Sequence, residues 1–262
     1  MASPTVLSEE DWAGFVYRFE RDRIPFLGSL VAHVTTRMDL SGLATLTSDG
    51  ICGCISLYVA PRAETVVSCV GGIPEAAHLN AVLAGVGARN VEVLVTPSVV
   101  HGGPVIFPFI TRCFDAAVVA VQAPFSSATG QTINEVARAL KPTGRLGLIV
   151  WSHARPSSAE LPGSTNILRR PPSPNPDGYS RLLSAFVDAT VSAGFVRSAV
   201  EEVTCRCEAP NGAAYMGFLR SRVTRRPKMA KSRADEHFGH IEGRIAMESW
   251  AALLVADAPT AA

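Results

Sequence analysis

The chemistry available to this chain sits in a few short stretches. Gly71-Gly72 follows the apolar run Thr65-Val66-Val67-Ser68-Cys69-Val70 and precedes a helical pattern from Pro74 to Leu83. Strand, glycine turn and helix in that order form the cradle in which backbone N–H groups meet a phosphate or dinucleotide. A glycine pair followed by a proline departs from the spaced pattern G-x-G-x-x-G, and no acidic residue closes the run. Cysteines stand at 52, 54, 69, 113, 205 and 207, forming two C-x-C pairs. Structural zinc takes pairs spaced by two to four residues, and no histidine stands at ligand spacing here. The expectation is therefore no metal, with reduced thiols acting as small hydrophobes. His101 and His153 are the candidate general bases, although neither has a carboxylate partner visible in the sequence. Gln122, closing an apolar run, could hydrogen-bond a ligand or cap its strand.

One stretch carries charge. Arg220, Arg222, Arg225, Arg226, Lys228, Lys231 and Arg233 fall within fourteen residues that hold no acid, so removing these seven from the overall +1 leaves −6 for the rest. An anionic partner is one expectation: nucleic acid, an acidic protein surface or a lipid head group. A solvated insertion is the other. No uninterrupted apolar run reaches the length of a membrane span, so no transmembrane segment is expected. The N-terminal "MASPTVLSEEDW" lacks the basic and apolar blocks of a targeting peptide, so an intracellular place, cytoplasmic or in an organelle matrix, is expected.

The elements that position these residues follow from periodicity. Trp12, Phe15, Val16 and Phe19 recur at helical spacing behind Ser8, and Leu27, Leu30, Val31 and Val34 repeat it, giving two leading helices before any strand. Short β-branched runs then alternate with helical patterns: "TVVSCV" from 65, "VEVLV" from 91, "AAVVAV" from 116 and "LGLIVW" from 146. Ile133, Val136, Ala137 and Leu140 mark a helix that Lys141-Pro142-Thr143-Gly144 terminates. Tyr179, Leu182, Leu183 and Phe186 mark another, ending near Gly194, and "VRSAVEEVTC" and "SWAALLVAD" close the chain as strands. Buried strands spaced by helices predict an α/β fold with a parallel, doubly wound sheet. A single domain over 1–262 is expected, with N-terminal helices to about residue 40 and an insertion over about 205–245.

Residues 114 to 151, "FDAAVVAVQAPFSSATGQTINEVARALKPTGRLGLIVW", resemble the second half of class I S-adenosylmethionine-dependent methyltransferases, in particular the ubiquinone and menaquinone branch. Phe114-Asp115 matches the opening of that family's fourth strand. Glu135, Arg138, Leu140, Lys141, Pro142, Thr143 and Gly144 match its Glu-x-x-Arg-x-Leu-Lys-Pro-Gly-Gly. "FPFITRCFD" from 107 resembles the approach to that strand, and "SAGF" from 192 the turn before the sixth.

The resemblance implies a Rossmann-like, mostly parallel, doubly wound sheet of seven strands with N-terminal helices, and a cofactor site whose pattern is degenerate in this sequence. With "TVVSCV" taken as the first strand, Ser68 stands at the family's acid, Val70, Gly72 and Pro74 stand at its three glycines, and Gly71 completes a backbone turn. With "VEVLV" as the second, Leu94 replaces the ribose-binding carboxylate, while Thr96-Pro97 keeps an echo of Ser-Pro. Gly103 stands at the adenine-contacting acid, and Gln122 ends the fourth strand. Neither Glu92 nor Glu75 falls at the required place. The cofactor-equivalent positions are thus Ser68, Gly71, Gly72, Leu94, Thr96 and Gln122. The reading that follows is a methyltransferase-like scaffold or assembly subunit without catalysis and without bound cofactor. Its alternative is an active enzyme using S-adenosylmethionine in a remodelled pocket to methylate a small molecule.

Overall fold

A computed structural model of the chain describes residues 30–48, 54–96, 106–122, 127–151, 155–156, 176–209 and 245–258. Helix α1 spans residues 30–38 and buries Leu30, Val31, Val34 and Met38. Strand β1 (Ala44–Ser48), helix α2 (Cys54–Val59), strand β2 (Thr65–Val70), helix α3 (Ile73–Gly85) and strand β3 (Val91–Val95) follow. Then come β4 (Phe114–Gln122), α4 (Ser127–Ala139), β5 (Leu140–Trp151), β6 (Arg155–Pro156), α5 (Pro176–Ser192), β7 (Val196–Ala209) and β8 (Ile245–Asp257). Helix ends are set by local chemistry. Pro74 sits in the first turn of α3, where a missing N–H costs nothing, and Gly87 supplies φ +73 beyond its last turn. Gly194 does the same for α5 at φ +91.

The sheet runs β3-β2-β1-β4-β5-β8, with β6 and β7 both paired to β8. Strands β1 to β5 are parallel, and β8 is antiparallel to β5, β6 and β7. This is the seven-stranded, mostly parallel arrangement expected, with the short β6 added. Alternation along each strand divides the core in two. Val66, Ala116, Val118 and Ile149 meet α1 and α2 on one face, whereas Leu46, Cys69, Ala117 and Val119 lie in the cluster that holds α4 and α5 residues on the other.

Two expectations are corrected. A strand does precede residue 65: Ala44–Ser48 pairs with both β2 and β4 and so lies in the middle of the sheet, which makes "TVVSCV" second and "VEVLV" third. Alternation fails to announce β1 because Thr45 and Thr47, its polar positions, are fully buried. The helix before β5 also stops at Ala139, and Leu140 to Gly144 belong to β5, not to a helix end. The leading helix expected near residues 9–21 lies outside the described residues.

Candidate functional site

In an open parallel sheet the crevice lies beyond the carboxyl ends of the strands where the strand order reverses. Here that is between β1 and β4, with β2 beside β1. Ser48, 4% exposed, ends β1, and Gln122 ends β4 opposite Trp151 of β5. Between β1 and α2 the chain reads Asp49-Gly50-Ile51-Cys52-Gly53, which lies outside the described residues.

At the end of β2 the backbone turns through Gly71 and Gly72 into α3. Nothing in the conformation there demands glycine. Gly72 is extended at φ −158, and an added Cβ would meet only Pro74 Cδ at 3.6 Å, an ordinary contact. The Gly71 N–H donates to Glu75 Oε2 at 2.7 Å, so the helix's own first-turn carboxylate already fills the position an anionic ligand would take. Glu75 is 2% exposed. Thr96, 4% exposed, follows β3, its N–H donating to Val70 O at 2.6 Å, and its Oγ1 has no hydrogen-bond partner among the described residues. The end of β2 therefore offers acceptors and a hydroxyl. That set suits a ligand presenting hydroxyl donors and does not suit a phosphate.

The other predicted positions are scattered. Ser68 is fully buried, two residues along β2 from Val66 and so on the same face of the strand. Leu94 is half-buried on β3, the sheet's edge strand. Among the described residues no group of three His, Cys, Asp or Glu side chains could hold a metal ion. His101, Gly103, His153 and the basic run from Arg220 to Arg233 lie outside the described residues. Glu75, which the sequence places on the helix after the loop, reaches back a full turn with its carboxylate to the Gly71 N–H.

Charged braces hold the opposite ends of the strands. Asp115 Oδ2 accepts from the Ala44 N–H at 3.1 Å and Oδ1 from Lys141 Nζ at 2.8 Å, tying β1, β4 and β5 together at their starts. Burial pushes its carboxyl up, but the Lys141 ammonium and the Ala44 N–H outweigh this and hold it below the usual range. Arg138 at the end of α4 donates to Phe109 O at 2.8 Å, to Phe107 O at 3.0 Å and to Glu135 Oε2 at 2.8 Å. Glu135 Oε2 also accepts from the Phe107 N–H at 3.3 Å. The Arg138 hydrogen bond lowers the Glu135 carboxyl against the opposing effect of burial. These are residues of the methyltransferase-like block, and their work here is to fix the approach to β4.

The strand order and the antiparallel last strand decide the fold. It is the class I methyltransferase fold. Solved structures agree at low identity. A [4+2]-cyclase, SpnF, is 16% identical with 98% of each chain covered and a TM-score of 0.55. A Haloferax volcanii protein solved in complex with the methyltransferase activator Trm112 is 14% identical, covering 97% of this chain and 96% of that one at a TM-score of 0.55. Geranyl diphosphate C-methyltransferase from Streptomyces coelicolor, solved with Mg2+, geranyl diphosphate and S-adenosyl-L-homocysteine, is 11% identical, covering 88% and 77% at 0.51. No protein-family model and no curated protein matches the sequence. At such identities the likeness speaks for the fold alone, and a cyclase among these structures illustrates that one fold carries more than one chemistry.

Proposed function

We propose that this chain binds S-adenosylmethionine beside the switch point and methylates a small molecule, which is the remodelled-pocket reading and not the scaffold one. The observation that carries it is the central position of Ala44–Ser48 in the sheet. The segment after that strand, Asp49 to Gly53, then takes the part of the cofactor loop, and it holds an acid and two glycines. On this reading Val70, Pro74 and Leu94 stand on or after strands other than the one that carries the cofactor loop. Glu75 would accept hydrogen bonds from the ribose hydroxyls, with Thr96 Oγ1 as a second partner, so that a carboxylate from α3 replaces the missing acid of the strand end. When bound, the cofactor supplies an electrophilic methyl group on a sulfonium. The chain's part is to exclude water from that group and orient an acceptor from the β4 and β5 side, near Gln122. The basic run from Arg220 to Arg233 supports an anionic group on that acceptor or on a partner. The whole of 1–262 is proposed as one such domain.

Thermal melting and calorimetry with S-adenosylmethionine and S-adenosylhomocysteine test this. A ligand at a hundredfold excess over its Kd stabilises the native state by about 2.7 kcal/mol. Asp49→Asn and Glu75→Gln are each expected to weaken affinity about tenfold, or about 1.4 kcal/mol. Absence of any shift with either ligand at millimolar concentration returns the scaffold reading. One observation favours that second reading: the outer face of α3 carries no charge, as a face that meets another protein would.

A further inference from the structure

Strand β1 carries hydroxyls where a central strand ordinarily carries aliphatic side chains. Thr45 and Thr47 lie on one face of it, both fully buried, while Leu46 on the other face joins the cluster that holds α4 and α5 residues. Ser56 of α2 is also fully buried, and its Oγ meets the Thr47 hydroxyl at 2.6 Å, either one donating. Ser68, in register with Thr47 on β2, is likewise fully buried. The layer around the Thr47 and Ser56 pair is otherwise apolar, built from Ile55, Val59, Val66, Ala116 and Val118. Two aliphatic side chains of the same shape would serve such a layer as well as a hydrogen-bonded pair does. What the pair adds is direction.

We propose, on the basis of the cofactor reading above, that the hydrogen bond between Thr47 and Ser56 is a clasp that positions the cofactor loop. Both are positioning residues: fully buried, they act through the loop. β1 ends at Ser48 and α2 begins at Cys54, so the pair brackets the Asp49 to Gly53 segment, Thr47 two residues before it and Ser56 three after it. The two ends are held unequally. Thr47 is fixed, because its strand is paired on both sides, with Ser68 of β2 and with Val118 of β4. Helix α2 is six residues long, too short to keep its place by its own hydrogen bonds. Ile55 and Val59 anchor it by apolar contact, which is non-directional. The bond to Thr47 sets both the height of α2 along β1 and its rotation. The loop then starts and finishes at fixed points, so its ordering is completed on folding and not on binding.

Calorimetric titration of the full chain with S-adenosylhomocysteine, in parallel with hydrogen exchange of the ligand-free protein, tests the proposal. Thr47→Val combined with Ser56→Ala removes both hydroxyls together, so the clasp is lost without stranding either partner. It is expected to weaken affinity about tenfold and to speed exchange of the amides from Asp49 through α2 relative to those of β4. Should the double variant fail to fold, Ser56→Ala alone carries the same expectation. Thr47→Ser keeps the hydroxyl and is expected to bind within about twofold of wild type. Thr45→Val removes a hydroxyl from the same face of β1 that has no hydrogen-bond partner among the described residues, and is expected to leave affinity unchanged. Equal affinity in the clasp variant and wild type overturns the proposal. So does an equal loss in Thr45→Val, or exchange that rises as much in β4. A wild-type chain that binds neither S-adenosylhomocysteine nor S-adenosylmethionine removes the cofactor reading itself, and the positioning role with it.

Discussion

Removing the Arg138 guanidinium should unlock the approach to β4 without touching the crevice. Arg138→Ala deletes hydrogen bonds to two carbonyls, Phe107 O and Phe109 O, and to the Glu135 carboxylate. The side chains of Arg138 and Glu135 are 31% and 23% exposed, so water replaces part of what is lost. Charged hydrogen bonds contribute about 1.5 to 3 kcal/mol each when well buried, and the lower end applies at this exposure. A loss of about 3 kcal/mol follows for the two carbonyl contacts, which lowers Tm by about 6 to 12 °C for a domain of this size. The acid dependence supplies a second, independent readout. Glu135 titrates below its ordinary range in the folded state, so its contribution is present above the unfolded value of about 4.3 and is lost as pH falls through the folded value. The stability difference between wild type and Arg138→Ala, followed by urea melts from neutral pH in steps down to pH 3, should therefore narrow by the Glu135 share at the acid end and keep the share of the two carbonyl contacts. Asp115, lowered in the same direction, is common to both proteins and cancels in the difference. A neutral-pH loss below about 0.5 kcal/mol, or a difference that stays constant with pH, would refute the reasoning.

Three further substitutions probe the backbone and core. Thr143 is an exposed β-branched residue at φ +66, where glycine avoids the Cβ clash, so Thr143→Gly should raise stability by about 0.5 to 1 kcal/mol in denaturant titration. Thr45 is fully buried and its hydroxyl has no hydrogen-bond partner among the described residues, so the near-isosteric Thr45→Val should also stabilise, by about 1 kcal/mol in the same assay. Gly147 lies under α1, and a Cβ there would overlap Met38 Sδ and Val34 Cγ1, so Gly147→Ala should cost about 1 to 3 kcal/mol. Adding Met38→Ala should recover part of that loss, and strictly additive effects would show that the two residues do not meet.

The sequence alone carried the second half of the sheet. Runs such as Ala116 to Val119 and Leu146 to Val150 are buried on both faces, and a continuous apolar run between helical periodicities signals that state without tertiary help. Phe114-Asp115 and the helix carrying Glu135 and Arg138 were equally legible, because their roles are local or set by closely spaced elements. Strand β1 was not. Thr45, Thr47 and Ser48 are polar and announce no strand, yet they are buried in the folded chain, and the Thr47 hydroxyl meets Ser56 Oγ at 2.6 Å. Burial of hydroxyls with partners brought in from another element is a tertiary event that no periodicity announces. From that one hidden strand the rest of the site follows, since strand order fixes which loop faces the crevice. Glu75 belongs to the same class: its type was visible, but only the turn at Gly71 decides that its carboxylate returns to the end of β2. Local spacing therefore determined which elements exist, and non-local strand pairing decided which of their ends come together.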